Sequence, residues 1–350
     1  RGFYFIHVIS PIFTFKRDII KKINMKNSKI RILKTSVGSV GKVTLIRELQ
    51  KNGVFVIGTD MNPMSSGLYI SDKKYVVPHG ANSNFIQSII DICKIEKPNL
   101  ILANDEYEAQ RLSENKKLFE EMGIILFCSD FDVIKTCFDK NKTKKFLNSI
   151  NVPTPKIFTS KNAQFPCIIK PSSGSGSEDV YLVHDENELK FYLSKVEKVS
   201  SNPIIEEYIK GDEFSVDILS DLNSEPLSII PRIRIQTESG ISTKSIIKNE
   251  KTIINFCKKI SKELKLKGPS CVQCIKNKSG IKFIEINNRF GGGSILSIYA
   301  CKSIIKNLIK IANKEKPKSD FEVNDGLTML RYYNEVFLKE NDILNQNENI

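Results

Sequence analysis

A repeating order of short apolar strands and amphipathic helices constrains the first third of this chain. Apolar segments stand at 29–36, 54–57, 74–77, 99–103 and 124–127. Helical patterns separate them, including the stretches 82–96 and 106–122. Because parallel strands need a long crossover that is usually a helix, this order predicts a parallel α/β sheet. The loop from Val37 to Gly41 lacks G-x-G-x-x-G, so we do not expect a nicotinamide cofactor.

Beyond residue 136 the pattern changes to mixed α+β. A small lobe is predicted by a helix at 140–149, strands at 156–158, 167–171 and 179–184, and a helix at 185–196. Residues 203–288 predict a larger antiparallel sheet that a helix at 249–264 covers. A further helix is expected to be capped by Ser294 and to run to Ile309. Residues 314–350 are mixed, with a strand expected at 327–333 and a disordered, Asn-rich end.

Length and composition restrict the class of protein. A chain of 350 residues is too long for one small core and indicates two or three domains. The formal charge of +13 could indicate a nucleic-acid partner, but the lysines are scattered among glutamates and no aromatic-basic stripe occurs. No apolar run reaches the ~18–20 residues that span a membrane. We therefore expect a globular protein that binds neither nucleic acid nor membrane.

The eight cysteines do not form a metal or redox motif. Most lie in apolar segments, where a free cysteine acts as a small hydrophobe. Cys271 and Cys274 have C-x-x-C spacing, but their side chains face opposite ways in a strand and no second pair exists. His7, His79 and His184 are isolated, so no histidine-based triad or zinc site is supported. This cysteine usage indicates a reducing cytoplasm.

The first 24 residues differ from the rest of the chain. Their apolar run is interrupted by Pro11 and followed by two basic residues rather than by a small-residue cleavage site. Met25, followed closely by a strand, resembles a natural start. We interpret residues 1–24 as an upstream leader outside the fold, with a membrane-surface anchor as the alternative.

The segment FIEINNR carries the most distinctive chemistry. In a strand, Glu285, Asn287 and Arg289 point to one face, while Ile284 and Ile286 point to the core. A carboxylate, an amide oxygen and a guanidinium therefore form one row. Mg²⁺ prefers such oxygen ligands, completed by substrate phosphates. The alternative is a surface strand with solvated polar residues, although Glu and Asn are both depleted from strands.

A glycine-rich loop forms the second chemical signal. A short apolar strand ends at Lys170, and a loop with Gly174 and Gly176 follows before the next strand. Such loops let backbone N–H groups approach phosphate oxygens, and the lysine supplies a point charge. The order differs from the P-loop, because the lysine precedes the glycines and a strand follows. An ordinary flexible hairpin tip is the alternative.

These signals belong to an ordered set of motifs. Asp139-Lys140 opens a basic helix, and residues 206–213 read as strand, turn and strand. The full order is Asp-Lys, Lys-Pro with the glycine loop, Glu-Glu-Tyr-Ile-x-Gly-x-Glu, Gln, and Glu-x-Asn-x-Arg. This order resembles the ATP-grasp superfamily, specifically the carbamoyl-phosphate-synthase-like branch of carboxylate–amine ligases. The resemblance covers roughly residues 29 to 313.

The resemblance implies a Rossmann-like pre-ATP-grasp domain followed by a two-lobed ATP-grasp domain, hence an α/β and an α+β part. The expected divisions are a leader at 1–24, the pre-ATP-grasp domain at 25–136, a small lobe at 137–202, a large lobe at 203–313 and a partly disordered extension at 314–350.

The resemblance also implies how ATP is bound. Lys140 and Lys170 resemble the two lysines that hold the nucleotide phosphates, and Gly174 and Gly176 resemble the loop that closes over them. Glu213 matches the residue that binds the ribose hydroxyls. The hinge that grips adenine is matched by Glu206, Glu207, Tyr208 and Ile209.

The same resemblance assigns the reaction centre. Glu285 and Asn287 resemble the ligands of Mg²⁺, for which Mn²⁺ is an alternative, and Gln273 is expected as the third ligand. That third position is often acidic in the superfamily, so a glutamine leaves fewer negative charges around the metal. Arg289 resembles the residue that stabilises the transferred phosphoryl group. Arg234 is expected to contact the γ-phosphate or the acid, with an ordinary strand-edge arginine as the alternative.

The implied activity is activation of a carboxylate by ATP as an acyl phosphate, from which an amine displaces phosphate. The expected partners are ATP and small-molecule carboxylate and amine substrates, and a homodimer is left open. One alternative is bicarbonate activation of the carbamoyl-phosphate-synthase or biotin-carboxylase type. The other is an ATP-binding protein without catalysis, against which the presence of Glu285, Asn287 and Arg289 argues.

Overall fold

The computed structural model describes residues 30–38, 41–174 and 178–344. The leader predicted for residues 1–24 and the loop residue Gly176 lie outside the described residues. No helix in the described part of the chain is long and apolar enough to cross a membrane.

The N-terminal part is a parallel sheet of five strands in the order β3-β2-β1-β4-β5. The strands are β1 Arg31–Lys34, β2 Phe55–Asp60, β3 Lys73–Val76, β4 Leu100–Leu102 and β5 Ile125–Leu126. The helices of this part are α1 Lys42–Lys51, α2 Ser66–Ile70, α3 Phe85–Glu96, α4 Glu106–Glu114, α5 Lys116–Glu121 and α6 Phe131–Phe138. From β1 the chain adds β2 and β3 on one side and then β4 and β5 on the other, so the strand order reverses between β1 and β4. In open α/β sheets, ligands usually bind at the carboxyl ends of the strands at such a switch point.

Both faces of this sheet are buried, which explains why its strands are almost uniformly apolar. Along β2, Val56 belongs to one core and its neighbour Ile57 to the core on the opposite face. The predicted parallel α/β arrangement is therefore confirmed. The stretch 106–122, predicted as one amphipathic segment, forms two helices that meet at Asn115.

A second, four-stranded sheet has the order β6-β9-β7-β8. Its strands are β6 Ile157–Phe158, β7 Cys167–Lys170, β8 Tyr181–Val183 and β9 Ile204–Glu207. Strand β9 pairs antiparallel with β7, with Ile169 opposite Ile205. The division predicted at residue 203 is thus wrong for this strand, because the chain leaves the small sheet only at the turn before residue 212.

The helices on either side of the small sheet belong to different cores. Helix α7, Lys140–Ser149, precedes the sheet in the chain but buries Leu147 in the core of the large sheet. Helix α8, Glu186–Val196, packs on the small sheet through Leu189 and Val196. The lobe predicted at 137–202 is therefore corrected at its start as well as at its end.

The third sheet has six strands in the order β14-β13-β10-β11-β12-β15. Its strands are β10 Asp212–Ser220, β11 Pro226–Glu238, β12 Ile241–Ile247, β13 Gly268–Asn277, β14 Gly280–Asn287 and β15 Thr328–Leu330. Strand β15 pairs with β12 and confirms, at shorter length, the strand predicted within 327–333. The extension predicted at 314–350 thus contributes an edge strand to the large sheet.

Besides α7, three helices from the second half of the chain pack on the large sheet. Helix α9, Lys251–Glu263, buries Ile253, Cys257 and Ile260 against it. The helix predicted from Ser294 to Ile309 is interrupted near Cys301 and forms α10, Ser294–Ala300, and α11, Ser303–Ala312. Gly293 occupies the position before α10, so Ser294 is its first residue rather than its cap.

We predict that Ile260→Ala lowers the free energy of unfolding of the large lobe by about 2–5 kcal/mol, because Ile260 is fully buried under the sheet and its loss leaves a cavity. Lys259→Ala, at the neighbouring exposed position of α9, is the control and should change this free energy by less than about 0.5 kcal/mol. Urea denaturation followed by circular dichroism measures both. Equal midpoints for the two variants would contradict the described packing of α9.

Candidate active site

A cavity of about 360 Å³ lies between the four-stranded and six-stranded sheets. Most of the residues proposed from the sequence line it: Lys140, Lys170, Gly174, Glu206, Glu207, Tyr208, Ile209, Glu213, Arg234, Gln273 and Glu285. Asn287 lines a smaller adjoining cavity that shares Lys140, Gly174 and Glu285 with the large one. Segments that are distant in sequence therefore converge on one place.

The start of helix α7 is fixed against the glycine loop. The carboxylate of Asp139 accepts hydrogen bonds from the backbone N–H groups of Asn141 and Lys142, which caps the helix. The backbone N–H of Lys140 donates to the carbonyl of Ser172 at 2.8 Å. The ammonium of Lys140 donates to the carbonyl of Gly174 at 2.9 Å. Lys140 is thus held at the entrance of the loop, facing the cavity.

A buried triad of two lysines and one carboxylate forms the floor of the small lobe. Lys170 Nζ donates to Glu206 Oε1 at 2.5 Å, and Lys144 binds the other oxygen, Oε2. The side chains of all three residues are less than a tenth exposed. Burial acts to raise the pKa of Glu206, but the charges of Lys170 and Lys144 hold that pKa below its ordinary value.

The triad corrects one expected role. Glu206 was matched to the hinge that grips adenine, yet both of its carboxylate oxygens are occupied by lysines. Its side chain therefore positions Lys170 rather than reaching toward a base. The other hinge residues, Glu207, Tyr208 and Ile209, do line the cavity at the point where β9 ends. Lys144 was not foreseen, because nothing in one sequence marks a lysine one helical turn after Lys140 as buried.

Glu213 and Arg234 form an ion pair across neighbouring strands. Glu213 lies on β10 and Arg234 on β11, and the guanidinium binds Glu213 Oε1. Arg234 also donates to the carbonyl of Gly240 at 2.8 Å. From the sequence, Glu213 is expected at the ribose hydroxyls and Arg234 at the γ-phosphate or the acid. In this structure they neutralise each other at the wall of the cavity.

The pairing of β13 with β14 brings the proposed metal ligands together. Gln273 stands opposite Glu285, and Cys271 stands opposite Asn287. The register then shifts, because Cys274 pairs with Phe283 and leaves Ile284 as the extra residue of a bulge.

The bulge overturns part of the predicted alternation. Phe283 and Ile286 are three positions apart, so regular alternation along the strand would place them on opposite faces. Both lie in the core, because the extra residue of the bulge shifts the alternation by one position. Ile284, predicted as a core anchor, is half-buried and lines the cavity beside Glu285. The chain thereby places one apolar side chain next to the acidic one on the wall of the site.

The oxygen donors at this wall fit a divalent cation that also binds phosphate. Within the described residues, the Glu285 carboxylate makes no ion pair or hydrogen bond, so it is available to a cation. Asn287 Oδ1 accepts a hydrogen bond of 3.4 Å from Arg289. No group of three or more His, Cys, Asp or Glu side chains in the described part of the chain could hold a metal ion by itself. One carboxylate and amide oxygens suit Mg²⁺ when phosphates complete its shell.

Arg289 is oriented toward the N-terminal part of the chain. Its Nη2 lies 3.1 Å from Oε1 of Glu106, the first residue of helix α4. Arg289 was expected to face a phosphoryl group, but it lines neither cavity and instead joins the large lobe to the parallel sheet. Glu106 was not identified from the sequence. Glu106 begins the helix that follows β4, at the switch point of the sheet, and this position is the feature of the sequence that could have identified it.

Further charged residues gather at the same carboxyl edge. Lys42 donates to the carbonyl of Asn104 at 2.8 Å, and Ser36 donates to Glu108 at 2.7 Å. Burial lowers the pKa of Lys42 to about 8, with the charge of Arg289 acting in the same direction. Burial also raises the pKa of Glu108 to about 7.

Arg331, which follows the edge strand β15, closes this region. Its guanidinium donates to the carbonyl of Gly292 at 2.9 Å and lies close to Gly41. Gly41 has a φ of 89°, and a side chain there would collide with the Gly292 carbonyl and with Arg331. Burial, followed by the nearby charge of Arg232, lowers the pKa of Arg331. The C-terminal segment therefore reaches the junction of the parallel sheet and the large lobe.

Comparisons with known proteins agree with this geometry. The sequence model of the ATP-grasp domain family matches residues 137–293, and that of the PylC-like N-terminal domain matches residues 32–127. The carbamoyl phosphate synthase large chain of Clostridium botulinum (strain Loch Maree / Type A3) is 27% identical in an alignment of 315 residues that covers 80% of this chain and 29% of that protein. The carbamoyl-phosphate synthase of Methanobrevibacter smithii is 24% identical over 312 residues, covering 81% of this chain and 80% of the relative.

Solved structures show the same fold. A biotin carboxylase from Campylobacter jejuni matches with a TM-score of 0.67 and 16% identity, over 83% of this chain and 72% of that one. An L-amino acid ligase from Bacillus licheniformis matches with a TM-score of 0.62 and 18% identity, over 82% of this chain and 75% of that one.

The fold and the cavity define a two-lobed nucleotide-binding protein with a preceding parallel α/β domain. Residues 137–293 match the ATP-grasp domain family, and the resemblance of the chain to the ATP-grasp superfamily and its carbamoyl-phosphate-synthase-like branch is confirmed.

We predict that Lys144→Met destabilises the protein and weakens ATP binding, although Lys144 does not line the cavity. Glu206 would lose one of its two charge partners inside the protein, which should lower the free energy of unfolding by about 1–3 kcal/mol and loosen Lys170. Thermal unfolding and ATP affinity measure the two effects. Lys142→Met is the control, because Lys142 is on the same helix, is exposed and only reaches Asp139 at 4.0 Å. A Lys144→Met protein as stable as this control would refute the triad.

Proposed function

We propose that this chain is an ATP-dependent ligase that activates a carboxylate as an acyl phosphate and joins it to an amine. The observation that carries the proposal is the cavity between the two lobes. One wall presents Lys140 and Lys170, and the opposite wall presents Glu285 and Gln273. Its volume of about 360 Å³ falls in the range of small-molecule and cofactor sites.

The charges of the cavity suit a nucleoside triphosphate. Lys144, Lys170 and Glu206 together carry one net positive charge at the floor of the small lobe, and Lys140 adds a second at the loop. Buried positive charge that is incompletely neutralised favours an anion. We assign the phosphates to Lys140 and Lys170, and the base to the opening beside Tyr208 and Ile209.

The acidic wall fits the cation that accompanies the nucleotide. Glu285, with Asn287 and Gln273, would hold Mg²⁺ or Mn²⁺. Such an ion, when bound, neutralises charge on the phosphates. Glu285 is the residue best suited to this role, since its carboxylate is uncommitted within the described residues.

Arg289 and Arg234 complete the proposed machinery. Both guanidiniums are held by carboxylates, Glu106 and Glu213, so each can exchange one anion for another. An acyl phosphate carries charge that arginine binds in a forked geometry. The protein therefore contributes position and charge, which is what phosphoryl transfer requires, and no side-chain nucleophile is needed.

A second candidate is bicarbonate as the acid. It is favoured by the names of the sequence relatives, which are carbamoyl phosphate synthases. The chain spans only 29% of the length of the first of these relatives, so their activity as whole proteins does not transfer directly. Release of ADP that depends on bicarbonate would favour this candidate, and release that depends on an organic acid would favour the general ligase.

We expect Glu285→Gln to lower ADP release by about 10²-fold or more, because the substitution removes the single negative charge among the three proposed ligands of the cation. The measurement is a screen of acid–amine pairs, bicarbonate and ammonium included, for ADP release by the wild-type chain and the variant. Glu263→Gln, at an exposed position of helix α9, is the control and should retain activity. Unchanged turnover in Glu285→Gln would contradict the assignment of Glu285 as a metal ligand, but it would not contradict the fold.

Lys170→Met should weaken ATP binding by about tenfold or more, because it removes the ammonium at the floor of the cavity and leaves Glu206 with Lys144 alone. Lys190→Met, on the outer face of the same lobe, is the matched control. Titration with a fluorescent ATP analogue in the presence of Mg²⁺ measures both affinities. Equal affinities would place the phosphates away from the triad.

A further inference from the structure

A second, much smaller cavity adjoins the first at its acidic end. Its volume is about 10 Å³, which is room for one water-sized group. It shares Lys140, Gly174 and Glu285 with the large cavity, so whatever occupies it lies beside the end proposed for the phosphates. The polar residues that line it and not the large cavity are Glu106, Asn287 and Asn288, and the remaining new wall is formed by Ala109, Ile134, Cys137, Phe138 and Ile286.

Asn288 offers a buried oxygen with no partner. The residue follows Asn287 at the end of strand β14 and is only 4% exposed. In the part of the chain that the structure describes, its Oδ1 accepts no hydrogen bond. A buried acceptor without a donor is unfavourable, so such an atom indicates an occupant that the protein alone does not supply.

Glu106 offers a second such oxygen. Its Oε1 is enclosed and accepts no hydrogen bond from the described residues, although Arg289 Nη2 lies 3.1 Å away. Burial raises the pKa of Glu106, and the charge of Arg289 acts against this shift. Both atoms are acceptors: Asn288 Oδ1 has no hydrogen-bond partner among the described residues, and Glu106 Oε1 is ion-paired with Arg289 without accepting a hydrogen bond from it. The occupant that matches them is a small hydrogen-bond donor that carries positive charge.

A second divalent metal fits this cavity less well. Glu285 and Asn287, which also line it, are already assigned to the cation of the nucleotide, so Glu106 is the one carboxylate of its lining that remains for another ion. No cluster of three acidic, His or Cys side chains occurs among the residues that the structure describes. An ammonium group needs fewer oxygens and can donate to each of them.

We propose that Glu106 and Asn288 bind the nitrogen of the amine substrate, as free ammonium or as the head of a primary ammonium. This assignment rests on the proposed ligase function and specifies which part of the site receives the nucleophile. It explains why the parallel domain inserts an acidic residue at the reaction end of the cavity. It also places the nitrogen next to the phosphates: after one proton passes from the ammonium to the Glu106 carboxylate, the nitrogen lone pair can form the bond to the acyl carbon while the bond from that carbon to the phosphate oxygen breaks.

Thermal unfolding of the full chain with Mg²⁺ and a non-hydrolysable ATP analogue tests the proposal. Ammonium chloride, potassium chloride and tetramethylammonium chloride are compared at equal ionic strength. Ammonium should raise the melting temperature roughly 1–3 °C above both other salts, because only ammonium donates N–H groups. Methylammonium that matches ammonium assigns primary amines, and an effect of ammonium alone assigns ammonia.

Two variants locate the effect. Glu106→Gln and Asn288→Ala should each remove the advantage of ammonium over potassium. Asn288→Asp keeps an acceptor oxygen at that position and should retain it. Asn187→Ala, on the exposed face of helix α8, is the control. If Asn288→Ala fails to fold, Glu106→Gln and the comparison of salts on the wild-type chain still decide the question.

The opposing outcomes are distinct. Equal stabilisation by potassium and ammonium would mean a general monovalent-cation site, and equal curves in all three salts would mean that the cavity holds only water. Either result overturns the proposal. Failure of the ATP analogue to stabilise the chain is measured in the same experiment without added ammonium. That failure would count against the ligase function itself rather than against the amine site.

Discussion

The buried carboxylate of Glu206 is the interaction on which the candidate site depends. It lies between Lys144 on a helix and Lys170 on a strand, and each lysine occupies one of its oxygens. A lone charge at this depth would be costly, so the three groups stabilise one another. Two ammonium groups and one carboxylate still leave one positive charge toward the cavity. The junction of helix α7 with the small sheet therefore contains the positive charge that the proposed binding of a polyphosphate needs.

The same arrangement recurs around the cavity. Arg234 is paired with Glu213 and Arg289 with Glu106, so both guanidinium groups already have a carboxylate partner before a ligand binds. Binding of an anion then exchanges one partner for another instead of first exposing a bare charge. The exchange lowers the net gain from each contact, but it keeps the guanidiniums in defined positions before the substrate arrives. Glu285 differs because it is uncommitted among the described residues, as a ligand reserved for a cation must be.

Much of this fold follows from local pattern, whereas the exceptions come from pairing between distant strands. Doubly buried strands such as β2 need apolar residues at successive positions, and that requirement made the parallel sheet predictable. Glu285 and Gln273 were predictable together because both lie on strands that a short turn joins. The bulge at Ile284 and the pairing of β9 with β7 were not, since each depends on a partner strand. Glu106 was not identified for the same reason, because its ion pair with Arg289 joins two residues that are far apart in the sequence.

In the proposed ligase, the contact between Glu106 and Arg289 gives the preceding parallel domain a role in the reaction. Glu106 begins a helix at the switch point of that sheet, and Arg289 follows the strand that carries Glu285 and Asn287. Arg331 reaches the same junction from the C-terminal segment through the carbonyl of Gly292. Nucleotide contacts come from the two lobes alone, but the reaction end is assembled from three parts of the chain. Differences in the parallel domain can therefore change which acid or amine is accepted while the ATP cavity stays the same, because only the reaction end contains residues from both.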